Sequence, residues 1–366
     1  MISTEMASES GGIRATLKDV ARVAGVHSGT ASRALNVETR ALVNEETASR
    51  VLAAARELGY RPNPIARGLK TNRSYTVGVL IPDLTNPLFP PIVRGIQDRL
   101  EEAAYTPLIA NTENDPERER ADFETMRARQ VEGFITATAR EDEGFINESA
   151  AVKLPVVLVN RRLEDDGLPS VVGDDRAGVR EAVTHLVELG HPRIAHLAGP
   201  QDISTGRLRH QGFVEAMRDQ RLEPDPDAVL YADAFTESEG ARLCAELLDR
   251  GREVTAIVAG NDLMALGCYD VFIDRGIRNP AEISVVGFND MPFADRFDPP
   301  LTTVRVPHYE IGARAAELLL ELLQYPETAP EHALLEPQLV VRDSTAPPRA
   351  ERRSDAGTEE RRVARC

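Results

Sequence analysis

The polar side chains Ser28, Thr30, Ser32, Arg33 and Asn36, with Gly29 among them, recur at the spacing of one helix face. Hydroxyls, an amide and a guanidinium on such a face can exchange hydrogen bonds with base edges and phosphate oxygens in a DNA major groove. The opposite face is apolar through Val26, Ala31 and Ala34. Any small helical bundle also has polar faces, so the pattern needs support from the residues around it. A second polar set ends the β-branched runs farther along: Pro82 and Asp83, Asn111, Asn160 and Arg161, Gly199 and Pro200, Asn261 and Asp262, Asn289 and Asp290. This set is rich in hydrogen-bonding groups and poor in paired catalytic ones. His185, His191 and His196 lie close in sequence, but one falls within a helix, one after the Gly190 exit and one on a strand. No single face gathers them, and neither a metal nor a cofactor is expected.

The elements that must position the first set are three short helices over residues 16–60. Thr16 with Asp19 makes a capping box, and Leu17, Val20, Ala21, Val23 and Ala24 follow helical spacing. Small Ala21 lets a second helix approach, and Gly25 makes the turn between them. Asn44 followed by Glu45 and Glu46 starts a third helix that runs through Val51, Leu52, Ala55 and Leu58 and stops at Gly59. Residues 61–74 form a connector in which Asn63 and Pro64 open a helix of about two turns, too short to be stable alone in water. From Tyr75 onward, strands at 76–81, 107–111, 133–138, 156–160, 193–197, 256–260 and 283–288 alternate with helices at 91–104, 117–129, 177–189, 237–249 and 262–274. Alternating βα units imply parallel sheets covered on both faces. The strands are too many for one compact sheet, so residues 75–344 are expected to form two doubly wound parallel-sheet subdomains. Ligands of such sheets sit beyond the carboxyl ends of the strands, where the second polar set lies. Residues 1–15 mix Ser, Glu and Gly without an apolar run, residues 345–366 carry almost no large apolar side chain, and both segments are expected to be disordered.

Charge separates the same regions. The whole chain carries −16, yet residues 14–73 hold eleven Lys and Arg against five Asp and Glu, leaving +6 there and −22 elsewhere. A basic head on an acidic body points to an anionic partner for the head alone. No run of about 18 apolar residues occurs, so no bilayer span and no membrane partner is expected. The first residues lack the apolar core of a secretory signal, and three cysteines without a C-x-x-C pattern fit a reducing, cytoplasmic location.

The motifs Thr16-Leu-Lys-Asp-Val-Ala, Ala31-Ser-Arg-Ala-Leu-Asn36, Gly59-Tyr-Arg-Pro-Asn63 and Ala66-Arg-Gly-Leu-Lys70 resemble the lactose/galactose repressor (LacI/GalR) family of bacterial transcription regulators. In the body the resemblance continues through Ile81-Pro-Asp-Leu-Thr-Asn-Pro-Leu-Phe89, His185-Leu-Val-Glu-Leu-Gly-His191, Asn261-Asp-Leu-Met-Ala-Leu-Gly267 and Pro300-Leu-Thr-Thr-Val304. It covers residues 16–344. The resemblance implies an all-α helix-turn-helix DNA-binding domain and a periplasmic-binding-protein-like α/β core. It also implies a homodimer on double-stranded, pseudo-palindromic operator DNA, controlled by a small-molecule effector and acting at the nucleoid. DNA contacts would come from Thr16, Ser28, Gly29, Thr30, Ser32, Arg33 and Asn36. From the connector, Arg67, Leu69 and Lys70 would join them, Leu69 as a minor-groove wedge. Three departures stand out. His27 occupies a position where the family usually caps the recognition helix with Ser, which leaves that start either weaker or capped by another group; Gly29 puts no side chain on the reading face; and Asn289-Asp290 replaces a common pair of aspartates.

By the same resemblance the effector, of the sugar or nucleoside class, would meet Asp83, Phe89, Asn111, Asn160, Arg161, Thr205, Arg209, Phe235, Asn261 and Asn289. Arg209 is the leading candidate because a forked donor can hold two adjacent oxygens. Core packing competes for Phe89 and Phe235, and turn or cap duty competes for the asparagines. Two other classes share the α/β body: an exported sugar-binding protein and an α/β enzyme. The basic head opposes the first, and the lack of G-x-S-x-G, H-E-x-x-H or a phosphate-binding loop opposes the second.

Overall fold

The computed structural model describes residues 15–36, 39–60, 73–140, 154–164 and 167–349. The chain divides into two compact units, Met1–Ser74 and Tyr75–Cys366. The first is built from α1 (Leu17–Val23), α2 (Ser28–Leu35) and α3 (Glu45–Glu57). Thr16 and Asp19 form the expected reciprocal cap. Gly25 takes φ +65° between α1 and α2, a left-handed turn that glycine adopts without steric cost. Val20, Ala21, Ala24, Ala31, Ala34, Ala48, Val51, Ala54 and Ala55 form the core. Because most of these are alanines, the helices approach closely but bury little apolar surface.

The second unit holds two six-stranded sheets. One contains β1 (Thr76–Ile81), β2 (Thr106–Asn111), β3 (Phe134–Thr136), β4 (Val156–Val159), β5 (Ser170–Gly173) and β11 (His332–Leu335), in the order β11-β5-β4-β3-β1-β2. The other contains β6 (Ile194–Ala198), β7 (Val229–Tyr231), β8 (Ala256–Ala259), β9 (Ser284–Asn289), β10 (Thr302–Arg305) and β12 (Gln338–Val340), in the order β12-β10-β9-β8-β6-β7. Both therefore reverse direction at the same place, between β1 and β3 and between β6 and β8. β12 pairs antiparallel with β10, a departure from the all-parallel expectation at one edge.

Helices α4 (Phe89–Glu102), α5 (Pro116–Ala128) and α10 (His308–Gln324) pack on the first sheet. Helices α6 (Asp175–Glu188), α7 (Ser204–Asp219), α8 (Glu237–Asp249) and α9 (Asp262–Arg275) cover the second. The chain crosses between sheets three times, after β5, after β10 and between β11 and β12. The crossings are fastened together: Asp174 N–H donates to the Leu335 carbonyl at 2.9 Å, and a methyl on Gly173 would press against Val306.

Two sequence expectations change. Residues 345–349 are not a free tail. The Thr345 hydroxyl lies 2.9 Å from His185 Nε2, and the Ala346 carbonyl accepts from His191 Nε2 at 2.9 Å and from the Ser284 hydroxyl at 3.2 Å. The Thr345 hydroxyl and the Ala346 carbonyl read as uncommitted in sequence, but here they serve His185 of α6, His191 just beyond it and Ser284 of β9. The strands β5, β7, β10, β11 and β12 and the helices α7 and α10 are additional to the sequence reading.

Gly95 and Gly312 let α4 and α10 touch backbone to backbone, since a methyl on either would run into the carbonyl oxygen of Tyr309 or Ile92. Gly95→Ala gains about 1 kcal/mol of helix propensity but overpacks this contact by about 1–3 kcal/mol or more. Urea unfolding of the variant is expected to show a net loss of stability; a gain would mean that the two helices can separate freely.

Candidate nucleic-acid interface and ligand cleft

In the first unit, α2 buries Ala31 and Ala34 and turns Ser28, Gly29, Thr30, Ser32, Arg33 and Asn36 away from the core. The outward set is the one its spacing implied. Arg33 Nε reaches back to the Gly29 carbonyl at 3.4 Å, and the Thr16 hydroxyl donates to Asp19 Oδ2 at 2.7 Å. His27 is not a weak start to the helix: its Nδ1 accepts from the Gly29 N–H at 3.1 Å, supplying the cap that a serine oxygen would give. Arg40 Nε closes the other end on the Ala34 carbonyl at 3.0 Å. Arg67, Leu69 and Lys70 lie outside the described residues.

In the second unit a cavity of about 180 Å³ opens where the two sheets reverse direction. Its walls include Pro82 and Asp83 after β1, Pro200 after β6 and Asn261 after β8. Of the ten candidate effector residues, Asp83, Phe89, Asn160, Arg161, Thr205, Arg209, Phe235, Asn261 and Asn289 line it. Asn111 does not. Its Oδ1 accepts from the Leu84 N–H at 3.0 Å and fastens the loop after β1, while Asn114, reached through a turn with φ +57°, takes the place in the wall.

Asn86, Asn114, Arg140, Asp202 and Asp233 also line the cavity and were missed in sequence. Asn86 lay within a motif already noted, whereas Asp233 follows the three-residue strand β7, too short to leave a periodic signal. Arg140 and Asp202 come from loops of different sheets and meet at 3.2 Å across the cleft.

Arg209 forms the floor and is 4% exposed. Nε donates to Asp175 Oδ1 at 2.7 Å, Nη1 to the Gly260 carbonyl at 2.8 Å and Nη2 to Asn289 Oδ1 at 3.5 Å. Its guanidinium carbon lies 3.8 Å from the centre of the Phe288 ring and 5.4 Å from that of Phe235. Burial pushes the Asp175 carboxyl up, and the Arg209 charge pulls it back. Asp175 is the first residue of α6, just past the first crossing, so the cavity floor is tied to that crossing. His308, at the second crossing, is driven down to about 4 by burial, with Arg209 adding to the effect.

The other wall residues combine structural duty with a place on the cavity. Arg161 donates to the Thr138 carbonyl and to Asn114 Oδ1, both at 3.3 Å. Asn261 caps α9 by accepting from the Met264 N–H at 2.8 Å. Phe89 is almost fully buried yet reaches the cavity, and Phe235 fits because residue 199 is glycine. Asp290, the second member of the Asn289-Asp290 pair, binds Arg305 and Arg342, each at 2.7 Å, and does not line the cavity. Three arginines and three aspartates balance the charge of the walls, and five asparagines can both donate and accept. Such a lining suits an uncharged ligand with many hydroxyls and one apolar face for an aromatic ring.

The histidines have structural partners. His196 Nδ1 lies 2.9 Å from the Val258 carbonyl, with its ring stacked on Phe213, and burial drives it down to about 3. Among the described residues no group of three or more His, Cys, Asp or Glu is placed to hold a metal ion. No helix among them is long and apolar enough to cross a membrane.

Comparison with known proteins adds the following. The family model for bacterial regulatory proteins of the lacI family matches residues 16–63, and that for a periplasmic binding protein-like domain matches residues 183–345. The HTH-type transcriptional repressor CytR of Escherichia coli (strain K12) is 34% identical over 331 residues, covering 90% of this chain and 96% of CytR. The ribose operon repressor of the same strain is 32% identical, covering 90% and 99%. Among solved structures, the lac repressor dimer bound to operator and the anti-inducer ONPF superposes with a TM-score of 0.81 at 30% identity, over 91% of this chain and all of that one. The complex of the regulator CelR with cellobiose gives 0.70 at 32% identity, over 90% and 100%.

Asp262 sits beside the cavity, fully buried, with Oδ1 accepting from the Thr303 hydroxyl at 2.5 Å and Oδ2 from the Met291 N–H at 2.7 Å. Burial raises its carboxyl from 3.8 to about 7 despite these bonds. Between these values the unfolded chain has lost the proton that the folded one keeps, so this group's contribution to stability falls as pH rises from about 4 to about 7. Asp262→Asn is expected to flatten that part of the profile. Thermal melts of both proteins across this range check it, and parallel profiles would refute the assignment.

Proposed function

Because the chain belongs to the LacI family of bacterial regulatory proteins, we propose that its effector cleft governs operator binding through the Arg209–Asp175 pair. The protein is a helix-turn-helix transcriptional regulator that binds operator DNA as a homodimer, and its core takes a sugar-class effector. The relatives are repressors rather than enzymes. The proposed site lies between the two sheets, and the proposed readers are Ser28, Thr30, Ser32, Arg33 and Asn36. Arg67, Leu69 and Lys70 are assigned to the minor groove on the resemblance alone. The proposed location is the cytoplasm, where the operator is.

One observation carries the coupling. Arg209 borders the cavity and is also the buried partner of the residue that follows the first crossing. A ligand oxygen that takes a hydrogen bond from Arg209 changes how firmly Asp175 is held, and hence the angle between the sheets. The Arg140–Asp202 pair spans the cleft and is partly exposed. It adds little stability but reports closure. Coupling of about 1–3 kcal/mol would change operator affinity roughly 5–150-fold. The cavity is proposed to bind its ligand without turnover, in keeping with relatives that are repressors.

Selection from random duplexes is expected to return an inverted repeat, with affinity falling at about −0.9 in log-log slope per neutralised phosphate. A melting-temperature screen of sugars and nucleosides then identifies the effector. Arg209→Ala is expected to lose about 3–5 kcal/mol of stability by stranding Asp175. The double variant Arg209→Ala with Asp175→Asn should recover much of it while operator binding no longer responds to effector. A double variant that still responds would remove Arg209 from the coupling.

A further inference from the structure

The DNA-reading face of α2 has a gap at Gly29, and the residue that caps the helix stands beside it. A Cβ at position 29 would lie 3.3 Å from His27 Nδ1 and 3.8 Å from Cε1. The imidazole therefore borders the space that a side chain at 29 would enter, and a methyl group there would require the ring to give by a few tenths of an ångström. A backbone N–H can only donate, so the 3.1 Å bond from Gly29 makes Nδ1 the acceptor. The ring proton then belongs to Nε2, the atom the cap leaves unused. His27 is an exposed residue at the first turn of the helix.

We propose that His27 is a DNA-contacting specificity residue: its Nδ1 caps α2, and its Nε2–H donates to an acceptor on the duplex in place of the absent side chain at Gly29. The inference rests on α2 being the reading helix. The cap does more than hold the helix, because it selects the tautomer that turns a donor outward. A base acceptor such as guanine O6 or N7 and a phosphate oxygen both satisfy that donor. The cap and Gly29 work as a pair, since a methyl at 29 would crowd the Nδ1 atom that accepts the cap bond.

The test compares His27→Ser with the full-length protein in the same random-duplex selection. Serine keeps a side-chain acceptor for the helix start, so melting temperature is expected to stay near that of the parent. Operator affinity is expected to fall roughly 5–150-fold, the range of one good base contact, with the salt slope unchanged because the contact is uncharged. Relaxed preference at one base pair per half-site assigns Nε2 to a base edge. A uniform loss over all sequences assigns it to a phosphate.

Gly29→Ala supplies the second arm: it should weaken operator binding in the parent and have much less effect in the His27→Ser background. Equal effects in both backgrounds, or a His27→Ser protein that selects the same sequence with the same affinity, would overturn the proposal. If the parent itself selects no sequence, the assignment of α2 as the reading helix fails, and this one with it.

Discussion

A guanidinium with almost no access to water must have its charge answered inside the protein. Arg209 is answered by Asp175, at the point where the chain leaves one sheet for the other. Neither group is stable in that setting without its partner. The pair therefore holds the cavity floor, the end of β8 through Gly260 and the start of α6 in one arrangement. The other crossings are fastened to the first by the Asp174–Leu335 bond and by the contact of Gly173 with Val306. The three passages of the chain and the cavity floor thus share one connected cluster. That is the physical basis for reading a small cavity as a control site.

Electrostatics divides the labour. The head carries the positive charge that an anionic duplex needs, while the rest of the chain is strongly acidic and unsuited to it. Within the cleft the charges balance, and the remaining lining is made of amides, paired ions and two phenylalanines. Outside the cavity wall, charges are paired with one another, as Asp290 is with Arg305 and Arg342.

Much of this was legible in the sequence, for identifiable reasons. The head announces itself because caps and turns are local: Thr16 with Asp19, Gly25 and Asn44 need only their neighbours. Long βα units such as β1 with α4, or β8 with α9, are legible because their apolar periods are sustained. What escaped has the opposite character. Helix α7 begins at Ile203 without a side-chain cap and carries glycines at 206 and 212 that serve packing on neighbouring backbone. The short strands β5, β7 and β12 lack the length for alternation. At the site, Asn111 and Asn114 are equivalent by type, and only a pair of left-handed residues at 113 and 114 decides which one faces the cavity. At His27 the sequence left a weaker helix start and a cap by another group both open, because only the ring's orientation toward the Gly29 N–H decides between them.

The threefold crossing also governs modularity. Helix α10 returns to the first sheet after β10 has completed a strand of the second, and β11 and β12 then close one edge of each. No contiguous stretch of the polypeptide contains a whole lobe, so neither lobe can be excised, grafted or expressed as a fragment without leaving the other open. The head, by contrast, is one uninterrupted segment. Recombination among related genes can therefore reassign which promoter is addressed by exchanging the leading segment, but it must inherit the sensing body intact.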